Sequence, residues 1–128
     1  MTRSRNERRL AERRGRLAET LALLLLRLKG WRILARRFRV GAGSGVGEID
    51  LVARRGRMLA FIEVKARETL ADAAFSITPR QRSRITRGAE AFLQAHPHLA
   101  DLNMRFDALL LGRWRWPVHL VNVWRIGE

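Results

Sequence analysis

The sequence predicts an α/β domain, a mixed sheet of about five strands flanked by two main helices. Three observations carry that expectation. Two apolar β-type runs, Ile49–Arg54 and Met58–Lys65, surround a tight turn at Arg55-Gly56-Arg57-Met58. A helix with three start signals follows at Thr78-Pro79-Arg80-Gln81: an N-cap Thr, Pro at N1 and Gln at N3 of a capping box. Further strand-like runs lie before and after these, at Trp31–Val40, Asn103–Leu111 and Trp114–Ile126.

Length and composition agree with one domain. The chain has 128 residues, 47% of them hydrophobic, enough for a buried core. Residues 1–9 read as a basic flexible arm and residues 10–128 as a single domain. Lys and Arg number 26 against 12 Asp and Glu, a formal net charge of +14. That excess favours a polyanionic partner, and phosphate backbones are the commonest. Arginine supplies nearly all of it, with Lys only at Lys29 and Lys65. Its planar fork suits bidentate phosphate contacts, although an arginine-rich proteome would give the same bias. With no cysteine, disulfides and thiolate metal sites are excluded. The basic start followed by apolar Leu21–Leu28 has the outline of a signal peptide, but Glu7 and Glu12 interrupt it and no small-residue cleavage pattern follows. The apolar run is also too short to span a bilayer. The expectation is a cytoplasmic protein with no membrane partner.

Taken in order, a first helix is expected from Leu10 or Arg16 to Gly30, with Leu17, Leu21, Leu24, Leu25 and Leu28 as its apolar stripe. Glu19 falls in a second column with Leu23 and Leu26, either directed inward or solvated and paired with Arg16. Trp31–Val40 is the first strand. The glycine-rich stretch Gly41–Gly47 lacks a P-loop ending and reads as a linker; a flap over bound nucleic acid is the sharper alternative. In the hairpin, Gly56-Arg57 fits a two-residue type II′ loop. That register sets Asp50 opposite Glu63 and Glu48 opposite Lys65, all four on one face. Ile49, Leu51, Ala53, Ala60, Ile62 and Val64 form the other face, while Val52 and Phe61 place apolar groups behind the charges, so helices should cover both sides. Glu68–Ile77 has no clear period. The second helix runs to about Ala95 with Ile85, Ala89, Phe92 and Leu93 inward. Arg80, Arg82, Arg84 and Arg87 crowd its first half, either as a phosphate-binding ladder or as a solvated basic face. His96 and His98 flank Pro97 in a helix-ending loop rather than a metal site. Asp107 is expected to pair with Arg105 or a neighbouring arginine, a structural part rather than metal binding. Pro117 marks the last strand as an edge, and Trp114, Trp116 and Trp124 read as core or edge cover, with base stacking open to any that is exposed.

The chemistry concentrates in the hairpin. Directly opposed side chains stand roughly 5 Å apart at Cβ, where like charges are destabilising. Asp50 facing Glu63 therefore calls for a cation, and hard divalent ions such as Mg²⁺ take one or two carboxylates together with water and phosphate oxygens. A structural ion-pair cluster is the alternative, but unpaired carboxylates are expensive in an apolar hairpin.

Asp50, a hairpin and then Glu63-Val64-Lys65 resembles the PD-(D/E)XK nuclease core. The wider string GEIDLVARRGRMLAFIEVKAR, followed by ITPRQRSRI and RFDALLL, resembles the YraN family of resolvase-like bacterial proteins from about Gly15 to the end. The resemblance implies a restriction-endonuclease-like fold and metal-dependent cleavage of structured or branched DNA. Asp50 and Glu63 would hold Mg²⁺ or Mn²⁺ with the Val64 carbonyl, and Glu19 or Glu48 would add a further oxygen. Lys65 would orient the attacking water or balance phosphate charge. A homodimer is implied by likeness to Holliday junction resolvases. This chain departs from the family in its extra glycines before GEID and in Gln81, where Lys is more frequent; capping accounts for Gln81. Two other functions remain open, a nucleic-acid-binding module without turnover and a factor that grips structured RNA.

Overall fold

The hairpin forms in the register its turn dictates. In a computed structural model describing residues 4–41, 46–67, 77–112 and 116–124, Arg55 pairs with Met58 and Leu51 with Ile62, and Gly56 takes φ +59°. The elements in chain order are α1 (Arg5–Leu28), β1 (Arg32–Val40), β2 (Gly47–Arg55), β3 (Met58–Arg67), α2 (Pro79–Ala95), β4 (Asn103–Gly112) and β5 (Val118–Trp124). The sheet is five-stranded and mixed, in the order β1-β2-β3-β4-β5. Its one parallel pair is β3 with β4, bridged by α2; the other neighbours are antiparallel. The α/β architecture is the expected one.

The two helices cover opposite faces. On one side Ile85, Ala89 and Phe92 of α2 pack with Val52, Leu59, Phe61, Phe106 and Leu110. On the other, Ala22, Leu23 and Leu26 of α1 pack with Leu51, Ala53, Ala60, Ile62 and Leu109. Close approach of α2 to β2 depends on two glycines. A Cβ at Gly47 would lie 2.7 Å from the Gly88 nitrogen, and one at Gly88 would lie 2.8 Å from Ile49 Cγ1 and 3.0 Å from the Glu48 nitrogen.

Four local expectations need correction. First, α1 begins at Arg5, so residues 5–9 belong to the helix rather than to an arm. A capping box starts it: Ser4 Oγ accepts from the Glu7 N–H and the Glu7 carboxylate accepts from the Ser4 N–H, both at 3.2 Å. Second, the apolar stripe read from the leucines is mostly exposed, with Leu17 62% and Leu28 76% exposed and only Leu25 half-buried; Ala22, Leu23 and Leu26 are the buried column. The run LALLLL is apolar almost all round, so its period does not fix the helix's rotation. Third, Ile49 belongs to the α2-side core, not to the face of Leu51. Fourth, the last strand is shorter than expected. It starts after Pro117 as an edge strand. The expectations for the linker at 42–45, the stretch 68–76 and Trp114 lie outside the described residues.

Candidate active site

At the carboxyl end of β3 the ladder with β2 reaches Leu51–Ile62. One step further, Asp50 is not a backbone partner of Glu63 as the simple register implied. Its Oδ2 instead accepts the Val64 N–H at 2.8 Å. The carboxylate thus completes the strand's hydrogen bonding while remaining beside Glu63. Asp50, Glu63, Glu48, Gln81, Arg84 and Ile85 line one cleft of about 180 Å³. Two strands and the first turns of α2 therefore build this cleft, and the Gly47–Gly88 contact sets how deeply α2 sits over it.

The carboxyls are electrostatically strained. Burial first, then the Asp50 charge, push Glu63 up to about 7, against the pull of Lys65. Asp50 is also raised, mainly by burial and against the Val64 N–H and a hydrogen bond from Glu63. One proton shared within the pair, carried by Glu63 and donated to Asp50, is the state these neighbours favour. Lys65 Nζ stands 3.5 Å from Glu63 Oε1, and the residue is only 7% exposed. A buried ammonium beside two half-buried carboxyls is the charge arrangement expected of a site that handles protons or a cation.

The remaining candidates divide. Glu48 reaches the cleft but is bound to Arg84, whose guanidinium donates to Glu48 Oε2 at 2.5 Å. Arg84 thereby joins the acidic cluster. Glu19 lies apart, held by Arg36 at 2.9 Å and Arg37 at 3.4 Å, and does not line the cleft. Among the described residues no ion pair joins it to Arg16. Arg80 and Arg87 are exposed, whereas Arg82 is half-buried, with its Nε lacking a hydrogen-bond partner among the described residues. Gln81 does cap α2, its Oε1 accepting the Thr78 N–H at 3.0 Å, but it also lines the cleft. The capping motif concealed that second position. A signal was available: N3 of a helix whose N-terminus follows β3 faces the end of the same strand.

Asp107 is structural, as expected. Its carboxylate accepts from Arg105 Nε at 3.0 Å, from the Asn122 N–H at 2.8 Å, and pairs with His119 Nε2 at 2.7 Å. Burial alone would raise its pKa; these donors outweigh that and hold it below the usual carboxylate range. They also pin β5 at Asn122, where φ is +53° opposite a register shift in β4.

Among the described residues no three acidic or histidine side chains are grouped closely enough to hold an ion unaided. Two carboxylates are nonetheless the usual protein share for Mg²⁺. No helix among the described residues is long and apolar enough to cross a membrane.

The uncharacterised protein family UPF0102 matches residues 18–111, which include every residue of this cleft. A UPF0102 protein of Paramagnetospirillum magneticum is 56% identical over 116 residues, 91% of this chain and 90% of its own. One of Parvibaculum lavamentivorans is 54% identical over 115 residues, covering 90% and 84%, and one of Methylorubrum populi is 54% identical over 119 residues, covering 93% and 92%. The chain therefore belongs to the uncharacterised protein family UPF0102, the YraN family that its hairpin and flanking motifs resemble.

Proposed function

We propose that this protein is a metal-dependent phosphodiester hydrolase acting on nucleic acid, with structured or branched DNA as the favoured substrate. One observation supports this reading above the others: Asp50 and Glu63 meet in one cleft, with Glu63 raised to about 7 and the Lys65 ammonium 3.5 Å away. The donor set fits a hard divalent cation: two adjacent carboxyls, both raised chiefly by burial, whose strain Lys65 offsets only in part. Asp50 and Glu63 would hold Mg²⁺ or Mn²⁺ with the Val64 carbonyl, and Glu48 has a second oxygen beyond the one bound by Arg84. Such an ion supplies polarisation of the phosphate and a water of lowered pKa. Glu19, engaged by Arg36 and Arg37, has no part in this set.

The chain's own groups do the rest. Lys65 donates toward the attacking water or the phosphate oxygens, fixed in place by its burial against Glu63. Arg80 and Arg87, exposed on α2, meet the backbone phosphates, and the positive end of the α2 dipole favours the same anion. Arg84 exchanges Glu48 for a phosphate when substrate enters.

A nucleic-acid-binding module without turnover is the second reading. It is favoured by the Arg84–Glu48 and Lys65–Glu63 pairs, which already supply counter-charge to the carboxylates. Cleavage separates the two. Branched, single-stranded and duplex DNA are incubated with Mn²⁺ or with EDTA, using wild type and Lys65→Ala. Mn²⁺-dependent cleavage that Lys65→Ala abolishes is expected; wild-type binding without cleavage of any substrate assigns the module instead.

A further inference from the structure

Of the three described tryptophans, two are in the core and one is not. Trp31 and Trp124 are each 3% exposed, Trp31 beneath the Arg55 and Arg105 guanidiniums and Trp124 stacked on Phe106. Trp116 is 78% exposed, the most exposed large apolar side chain among the described residues. Its neighbour Pro117 fixes its own φ and biases Trp116 toward extended backbone, which presents the indole from a stiff stem.

The sheet register shows which end of the sheet carries Trp116. Lys65 pairs with Leu110, and Leu110 with Val118, so the carboxyl ends of β3 and β4 and the start of β5 share one end of the sheet. Trp116 precedes Val118 by two residues and so extends past the level of Lys65 at that end, while Glu63, which lines the cleft, is level with Leu120 further along β5. With neighbouring strands about 4.8 Å apart, β5 runs about 10 Å from β3.

From this placement we infer that Trp116 is a stacking platform for an unpaired base lying beside the candidate active site. The substrate class is then nucleic acid with unstacked nucleotides within a few positions of the bond to be cut, a single-stranded segment, fork or branch rather than continuous duplex. Every base offers a π-face, but a base within a duplex already has both faces covered, so an exposed indole discriminates in favour of unpaired strands. This inference rests on the nucleic-acid reading above and narrows it.

The test measures binding in EDTA at one fixed salt concentration, by fluorescence anisotropy, of a labelled single strand and of a blunt duplex of the same sequence. Trp116→Ala should bind the single strand about fivefold to a hundredfold more weakly. Its duplex affinity and melting temperature should match wild type, and Trp116→Phe should recover most of the loss. Equal losses on both DNAs, or no loss on the single strand, overturn the stacking role while the nucleic-acid reading stands. Wild type that binds neither DNA removes both. Weaker self-association of Trp116→Ala with unchanged single-strand affinity assigns the indole to a protein contact and also overturns the inference.

Discussion

At Glu63, burial and the Asp50 carboxylate raise the pKa to about 7 from 4.5. Between these values the folded chain keeps a proton that the unfolded chain has released. The contribution of Glu63 to stability in the absence of metal therefore falls as pH rises from about 4.5 to about 7 and changes no further above that, and Asp50, also raised, contributes a fall of the same sign. Glu63→Gln should remove its share of that slope and stabilise the metal-free protein at pH 8 by about 1–3 kcal/mol. Thermal melts at pH 5 and pH 8 in EDTA check it; an unchanged slope in the variant would place the titration elsewhere. Asp50 divides differently, because it has two tasks. Asp50→Asn keeps an acceptor for the Val64 N–H and should melt no lower than wild type in EDTA, yet lose the rise in melting temperature that Mn²⁺ gives wild type. Asp50→Ala leaves that N–H unpaired and should cost about 1–3 kcal/mol. A full Mn²⁺ shift in Asp50→Asn would show that the two carboxyls do not share an ion. The convergence of Asp50 and Glu63 was legible because a two-residue turn with glycine first fixes a register. The Arg84–Glu48 pair was not, since it depends on how α2 is seated, and that is decided by the contact of Gly47 with Gly88, 41 positions apart in the chain.

Elements differ in how much of their placement their own residues determine. For α2 the capping box, Pro79 and the column Ile85, Ala89, Phe92 agree, and the helix was readable at both ends. For α1 the start at Ser4-Arg5-Asn6-Glu7 was readable as a capping box, but the basic composition around it suggested an arm instead. Its rotation was not readable, because six of the eight residues from Leu21 to Leu28 are leucine. Ion pairs from Glu19 to β1 and the small Ala22 against the sheet select the buried column. The two leucine columns should therefore respond unequally to truncation. Leu26→Ala should cost about 2–5 kcal/mol, as a fully buried side chain leaves a cavity. Leu24→Ala, at a half-exposed position, should stay within about 0.5 kcal/mol. Urea melts of the two variants decide this, and comparable losses would mean that α1 sits rotated from this placement. In α2, Gly88→Ala forces a Cβ against Ile49 and the Glu48 backbone and should cost about 1–3 kcal/mol.

Across the whole molecule the arginines outline one end and one edge of the sheet. Arg32, Arg36, Arg37 and Arg39 are exposed along β1, an edge strand that charge protects from pairing with another chain. Arg39 pairs with Glu48 in the sheet register, so this strip reaches the cleft, where Arg80 and Arg87 of α2 continue it. Composition foretold the net charge of +14 but not this layout, which arises only when β1 folds against β2 beside the start of α2. Affinity for DNA should accordingly be governed by release of condensed counterions, with log affinity falling linearly against log salt by about 0.9 per phosphate neutralised on duplex. Arg80→Ala removes one exposed guanidinium without touching the carboxyls, and should lower that slope by about 0.9 while leaving the melting temperature within the range of an ordinary surface change. Arg84→Ala should do more than this, because it also frees Glu48 in the cleft and so alters the response to Mn²⁺ as well as to salt. A salt titration of the three proteins with and without Mn²⁺ separates the effects. If affinity does not change with salt in wild type, the arginine layout is not a phosphate-binding surface, and the charge serves only to keep the sheet edge and the surface soluble.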